Sequence, residues 1–199
     1  DDERRYWDVL RQMFDPSNPA AKFSVGSLET LKDPDGAPSI REDLITFYQQ
    51  HYSAERMRLV VVGREPLDQL YQMVLPLFDK VPVYPAVEHA SSPRVFKEGL
   101  LPAEVQIQSL RSERTVTLLF PLPSQRANWR NKPASYLSYL LGHEGEGSLY
   151  QLLKSRGLAE SLFAGLVQST RDHALFAVSV GLTEDGFAQR DAVQTLIFE

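Results

Sequence analysis

The sequence predicts an α+β fold: an antiparallel or mixed β-sheet with helices packed on one face, together with part of a preceding, similar domain. Three observations predict it. Residues 99–199 read in the order β-β-α-α-β-β-α, so strands come in runs with helices set between the pairs. Residues 1–85 read α-α-β-α. Between these blocks, residues 81–93 (VPVYPAVEHASSP) hold three prolines and no period, the mark of a linker. The expected division is 1–85, the C-terminal part of a first α/β domain; 86–98, the linker; and 99–199, most of a second α/β domain.

Taken in order, residues 1–14 (DDERRYWDVLRQMF) set Tyr6, Val9, Leu10 and Met13 on one face at helical spacing. No capping residue precedes them, so the chain is expected to begin inside a helix. Residues 15–21 form a Pro-broken loop, residues 23–31 a turn feeding a short helix after Gly26, and residues 33–38 (DPDGAP) a loop. Ser39 and Glu42 have the spacing of a capping box, and the helix they open carries Ile40, Leu44, Tyr48 and Tyr52 along one stripe. Residues 57–62 (MRLVVV) read as a strand apolar on both faces, hence central or covered. The next helix keeps Leu67, Leu70, Val74, Leu77 and Phe78 in phase, and Pro76 inside it is expected to kink or shorten it. Residues 104–111 alternate through Val105 and Ile107, and residues 115–120 are β-branched and apolar; both read as strands. Two helices then flank a glycine turn. Residues 159–168 and 175–182 read as strands and 183–198 as one helix.

Charge and composition exclude several functions. A net charge of −5 with no basic face argues against nucleic acid, whose phosphates need cations. There is no cysteine, hence no disulfide framework and no thiol nucleophile. No apolar run approaches the ~20 residues of a membrane-spanning helix, and no signal-peptide pattern is present. The four histidines, His51, His89, His143 and His173, show no His-x-x-Glu-His spacing, and no two lie one helical turn apart. No Gly-x-Ser-x-Gly elbow or phosphate-binding glycine loop occurs. The residues alone give no catalytic centre.

The most shaped stretch is residues 140–157 (LLGHEGEGSLYQLLKSRG). Gly142, Gly145 and Gly147 let the backbone take left-handed angles and another chain come close. Ser148 caps the next helix, Gly157 ends it, and Glu144 and Glu146 precede its positive end. A solvated helix–helix connection and a binding surface are both compatible with this composition.

With its flanks (residues 129–165, WRNKPASYLSYLLGHEGEGSLYQLLKSRGLAESLFAG) the stretch resembles the insulinase/pitrilysin family of zinc metallopeptidases. Residues 22–31 (KFSVGSLETL) and 52–67 (YSAERMRLVVVGREPL) agree with it, so the resemblance spans nearly the whole chain. It implies a metallopeptidase αβ-roll and a chamber around a peptide, built with the remaining domains of the same polypeptide. It also implies Zn2+ in the full-length enzyme, held upstream of Asp1, with none bound by this segment. Asp2 and Arg5 match positions that follow a zinc ligand, as outer-shell support or as charges at a helix end. The resemblance further implies an exosite for the peptide N-terminus, with Gly142, Glu144, Leu162, Phe163, Ala164 and Gly165 as substrate-binding candidates. Ala164 replaces a glycine of similar enzymes, Asn18 replaces a histidine, and Ser138, Tyr139 and Leu166 also depart from the pattern. The expected function is a non-catalytic segment of a peptide-degrading zinc metalloendopeptidase. The alternative is a structural or binding subunit of the same fold, as in processing-peptidase partners.

Overall fold

Contacts divide the chain into two units, Asp1–Phe23 with Ser91–Glu199, and Ser24–Ala90. The computed structural model describes all residues except 1, 24, 34, 37, 86, 87, 89, 93 and 112. The helices are α1 (Asp2–Met13), α2 (Ile40–His51), α3 (Leu67–Phe78), α4 (Pro133–Leu141), α5 (Leu149–Ser155), α6 (Glu184–Ala188) and α7 (Arg190–Phe198). The strands are β1 (Thr115–Pro123), β2 (Ala159–Ser169) and β3 (His173–Leu182). Among the described residues no helix is long and apolar enough to cross a membrane.

In the first unit β3, HALFAVSVGL, is apolar at nearly every position, which suits a strand covered on both faces. It lies in the middle of an antiparallel sheet of order β1-β3-β2. Val180 and Leu182 pack with Leu153 of α5 and Val193 of α7, and Phe176 and Val178 with Ala134 of α4 and Ala164. The fold is thus α+β, with α4, α5 and α7 on one sheet face. On the opposite face Leu175 packs with Leu10 and Phe14 of the α1 region and with Val95 and Phe96, so α1 adds cover there. Thr170 closes the β2–β3 turn: its hydroxyl oxygen accepts from the backbone N–H groups of Asp172 (3.3 Å) and His173 (3.1 Å). Among the described residues β2 pairs with β3 alone, and it shifts register between Ala159 and Ser161 and between Leu166 and Gln168.

The units do not follow the expected 1–85, 86–98, 99–199 division. Phe14 and Phe96 meet edge to face at 5.2 Å, and Asn18 Nδ2 donates to the carbonyls of Ser92 (3.0 Å) and Arg94 (2.7 Å). Val95 and Phe96, inside the expected linker, are core side chains. The linker expectation for residues 86, 87, 89 and 93 lies outside the described residues.

The other departures have local causes. Residues 104–111 form no strand; the N–H groups of Leu110 and Arg111 donate to the Asp2 carboxylate at 2.9 and 3.2 Å instead of to a neighbouring strand. The helix expected at 183–198 breaks at Gln189, which ends α6 and begins α7.

In Ser24–Ala90 the capping box forms as expected, Ser39 Oγ accepting from Glu42 N–H (3.3 Å) and Glu42 Oε2 from Ser39 N–H (3.0 Å). Pro76 sits inside α3, which ends two residues later at Phe78. After Gly26 the chain makes a turn rather than a helix: Ser27 and Thr30 exchange side-chain and backbone hydrogen bonds that compete with helical ones. Residues 57–62 are no strand, because among the described residues no partner lies beside them. Ser53 is the only buried described residue of this unit, its hydroxyl accepting from Tyr84 N–H at 3.0 Å.

Candidate functional site

The glycine turn joins α4 to α5 and rests against β2. Gly142 N–H donates to the Ser138 carbonyl at 2.9 Å and ends α4. A Cβ added at Gly142 would lie 2.8 Å from that carbonyl oxygen and 4.0 Å from the Ala164 nitrogen, so glycine lets the turn close tightly beside the strand. Gly147 takes a φ of +81°, the left-handed region glycine occupies freely. Ser148 then caps α5 by accepting from Gln151 N–H at 3.2 Å. Glu144 and Glu146 are exposed on this turn.

The six substrate-binding candidates come together as this turn and one stretch of β2, whose outer edge has no strand partner among the described residues. Their accessibility differs. Glu144 and Phe163 are exposed and Leu162 is partly buried, whereas Ala164 and Gly165 are buried. Ala164 packs on Ala134 of α4 and on Phe176 and Val178. Gly165 sits in a slot: an added Cβ would lie 3.1 Å from Phe163 Cζ and 3.4 Å from Ser138 Oγ. The open part of the edge therefore runs from Phe163 back to Glu160.

Asp2 and Arg5 lie apart from this turn, on α1. The Asp2 carboxylate is held below its ordinary pKa, first by the hydrogen bond from Leu110 N–H and further by that from Arg111 and by Arg5, 3.8 Å away. Asp2 thereby ties down the backbone at residues 110–111, ahead of β1.

A second concavity, which the sequence did not single out, lies on the α1 face of the sheet. This groove of about 480 Å³ has Thr117 and Ser179 on its floor, bonded hydroxyl to hydroxyl at 2.9 Å, and Phe163 at its β2 side. Tyr6 and Trp7 of α1 wall it, with Val105 and Ile107. Its residues come from segments far apart in sequence; the alternation of Val105 and Ile107 was the one local hint.

Zinc needs at least three converging donors. Among the described residues no group of three His, Cys, Asp or Glu side chains converges. His51 lies against Phe47 (ring centroids 4.4 Å apart) and His143 near Tyr139 (5.9 Å). His173 is buried, with Nδ1 3.2 Å from the Thr170 hydroxyl; desolvation lowers its pKa, with Asp172 opposing. The described donors do not fit a zinc centre.

Residues 39–199 match the family model described as the peptidase M16 inactive domain. The chain is 31% identical over 203 residues to the insulin-degrading enzyme of Homo sapiens, covering 100% of this chain and 20% of that protein. It is 31% identical over 202 residues to the A-factor-processing enzyme of Saccharomyces cerevisiae, covering 98% and 19%. The crystal structure of pitrilysin superposes with a TM-score of 0.84 at 28% identity, over 99% of this chain and 21% of that one. A peptidase M16 inactive domain from Pseudomonas fluorescens, at 18% identity and a TM-score of 0.60, shares the fold. The chain spans about a fifth of the length of these curated relatives.

Proposed function

The chain belongs to the peptidase M16 family, in the part described as its inactive domain, and from that premise we propose that it is a non-catalytic segment of a peptide-degrading zinc metalloendopeptidase. In this reading the segment contributes to the substrate-binding chamber and carries an exosite for the peptide N-terminus. Zn2+ belongs to residues outside the segment. The remaining domains of the same polypeptide are its partners and cover the apolar side chains of Ser24–Ala90. Asp2 and Arg5 support a zinc ligand only through the position of α1, since Asp2 is committed to the backbone at 110–111.

One observation carries the reading: an edge strand, β2, bordered by a glycine-closed turn with an exposed carboxylate. A sheet edge accepts an extended peptide through main-chain hydrogen bonds, and side chains on alternate faces supply preference. Glu144 meets the α-ammonium group. The first residues pair along Leu162 and Phe163, and pairing that continues past them to Ala164 and Gly165 requires the Phe163 ring to leave Gly165.

The test is a four-way cycle on one long peptide with the full-length protein, combining Glu144→Gln with acetylation of the peptide α-amine. Either change alone should lower kcat/KM about tenfold, the size of one charge-assisted hydrogen bond near the surface. The two together should lower it little further, because both remove the same pairing. Short peptides should be unaffected. Additive effects would return the turn to a structural connection.

A further inference from the structure

We propose that the groove on the α1 face of the sheet is a subsite for a tyrosine side chain of the bound peptide. The proposal rests on the reading that an extended peptide adds to the edge of β2, but not on where its N-terminus sits. Its first support is a path into the groove. Thr117, Ser179 and Phe163 stand in one row across β1, β3 and β2, and Thr115, Gly181 and Ser161 stand in the next row of the same face. The Phe163 ring leans towards Gly165, its Cζ 3.1 Å from where a Cβ would lie there, and so away from the Ser161 row. That row is low: a serine at the edge, no side chain at Gly181, and Thr115 at the far end as part of the groove lining. Ser161 is exposed, within the open part of the edge. A strand added there would lie about 4.8 Å further out and turn every second side chain to the groove's face. A long side chain beside Ser161 then enters over Gly181 without displacing the Phe163 ring.

The second support is that walls and floor differ in chemistry. Tyr6, Trp7, Val105 and Ile107 wall the groove with rings and branched aliphatic groups. The floor is polar: the hydroxyls of Thr117 and Ser179 bond to one another at 2.9 Å, and both residues are partly exposed. In such a pair one hydroxyl donates, the other keeps its own proton, and both keep lone pairs, so the floor can still give and take a hydrogen bond. A phenol suits both, its ring against the walls and its hydroxyl at the floor. Phenylalanine leaves the floor hydroxyls facing carbon, and glutamine meets the floor but not the walls. The carboxylates of the lining do not set the choice. Asp2 is taken up by the backbone of Leu110 and Arg111, Glu3 is engaged within the chain, and Glu113 is exposed, where salt screens its charge. A volume of about 480 Å³ suffices for one such ring.

The test uses the full-length protein with chelator present, so that no turnover consumes the peptide. Tyrosine, phenylalanine and lysine are placed in turn along one labelled long peptide, and affinity is read by anisotropy. At one position tyrosine should bind about fivefold more tightly than phenylalanine, the size of one neutral hydrogen bond, and both should bind more tightly than lysine. Thr117→Val combined with Ser179→Ala should erase the preference for tyrosine over phenylalanine while phenylalanine peptides bind at least as tightly as before. Ser161→Leu, on an exposed residue, should raise the low row and remove the preference of both aromatic residues over lysine; it decides alone if the double variant does not fold. A flat scan, lysine preferred to tyrosine throughout, or a tyrosine preference untouched by these substitutions would overturn the subsite. If the preference follows the hydroxyls while the Glu144 cycle is additive, only the N-terminus reading falls.

Discussion

Residues 59–62 (LVVV) and 176–180 (FAVSV) are both apolar and rich in β-branched side chains, yet they meet opposite fates. Val180 is 0% exposed in the middle of a sheet, and Val62 is 93% exposed with no strand beside it among the described residues. The contrast extends to their surroundings. The first unit buries three clusters, whereas Ser24–Ala90 keeps α2, with its capping box and aromatic stacking, and α3, and buries only Ser53 among its described residues. A helix satisfies its backbone within itself, so its local signals suffice. A strand is a property of a pair, and without a partner the same composition remains an extended segment.

Amide exchange measures this difference at its largest. In the 199-residue chain the amides of Val178 and Val180 should exchange about a thousandfold more slowly than those of Val60 and Val62, since only the former must wait for global opening. Equal protection would break the contrast and require a partner for residues 57–62. Truncation gives the next effect. Val180→Ala should cost about 2 kcal/mol in denaturant unfolding, through lost burial and a cavity. Val62→Ala should change stability by no more than about 0.5 kcal/mol. A matching loss at Val62 would place it in a core.

The smallest effect is on pH and sharpens the contrast inside the paired region. His173 is buried at the β2–β3 turn and its pKa lies below the ordinary 6.5. The unfolded chain therefore takes up the proton first as pH falls, so the contribution of neutral His173 is whole above about pH 6.5 and is lost on acidification towards the folded pKa. Thermal unfolding at pH 8 and pH 5 should show a loss in the parent chain that is smaller in His173→Gln. An equal acid loss in both would place the titrating group elsewhere.

Much of this was legible in the sequence because it was local. The Ser39–Glu42 box, the Ser148 cap, the strands around Thr115, Ala159 and Leu175, and the glycine turn are all written within a few residues. What escaped depends on distant partners. Residues 104–111 alternate like a strand, yet their backbone N–H groups at 110 and 111 meet a carboxylate from the other end of the chain. Val95 and Phe96 follow a Pro-rich stretch and read as linker, but Phe14 makes them core. The candidate exosite residues were found through resemblance to a family; the burial of Ala164 and Gly165 was not, because it depends on how the Phe163 ring and α4 pack.

The two register shifts in β2 bear on self-association. A bare strand edge that accepts a peptide will equally accept the edge of another molecule, and a long flat one seeds open-ended stacking. Here the irregularities at Ala159–Ser161 and Leu166–Gln168 bracket a short regular run. Each bends and twists the strand locally. A brief flexible segment can follow that run, whereas a second rigid sheet meets a curved border it cannot match along its length. The irregularities thereby make the edge a poor template for fibres.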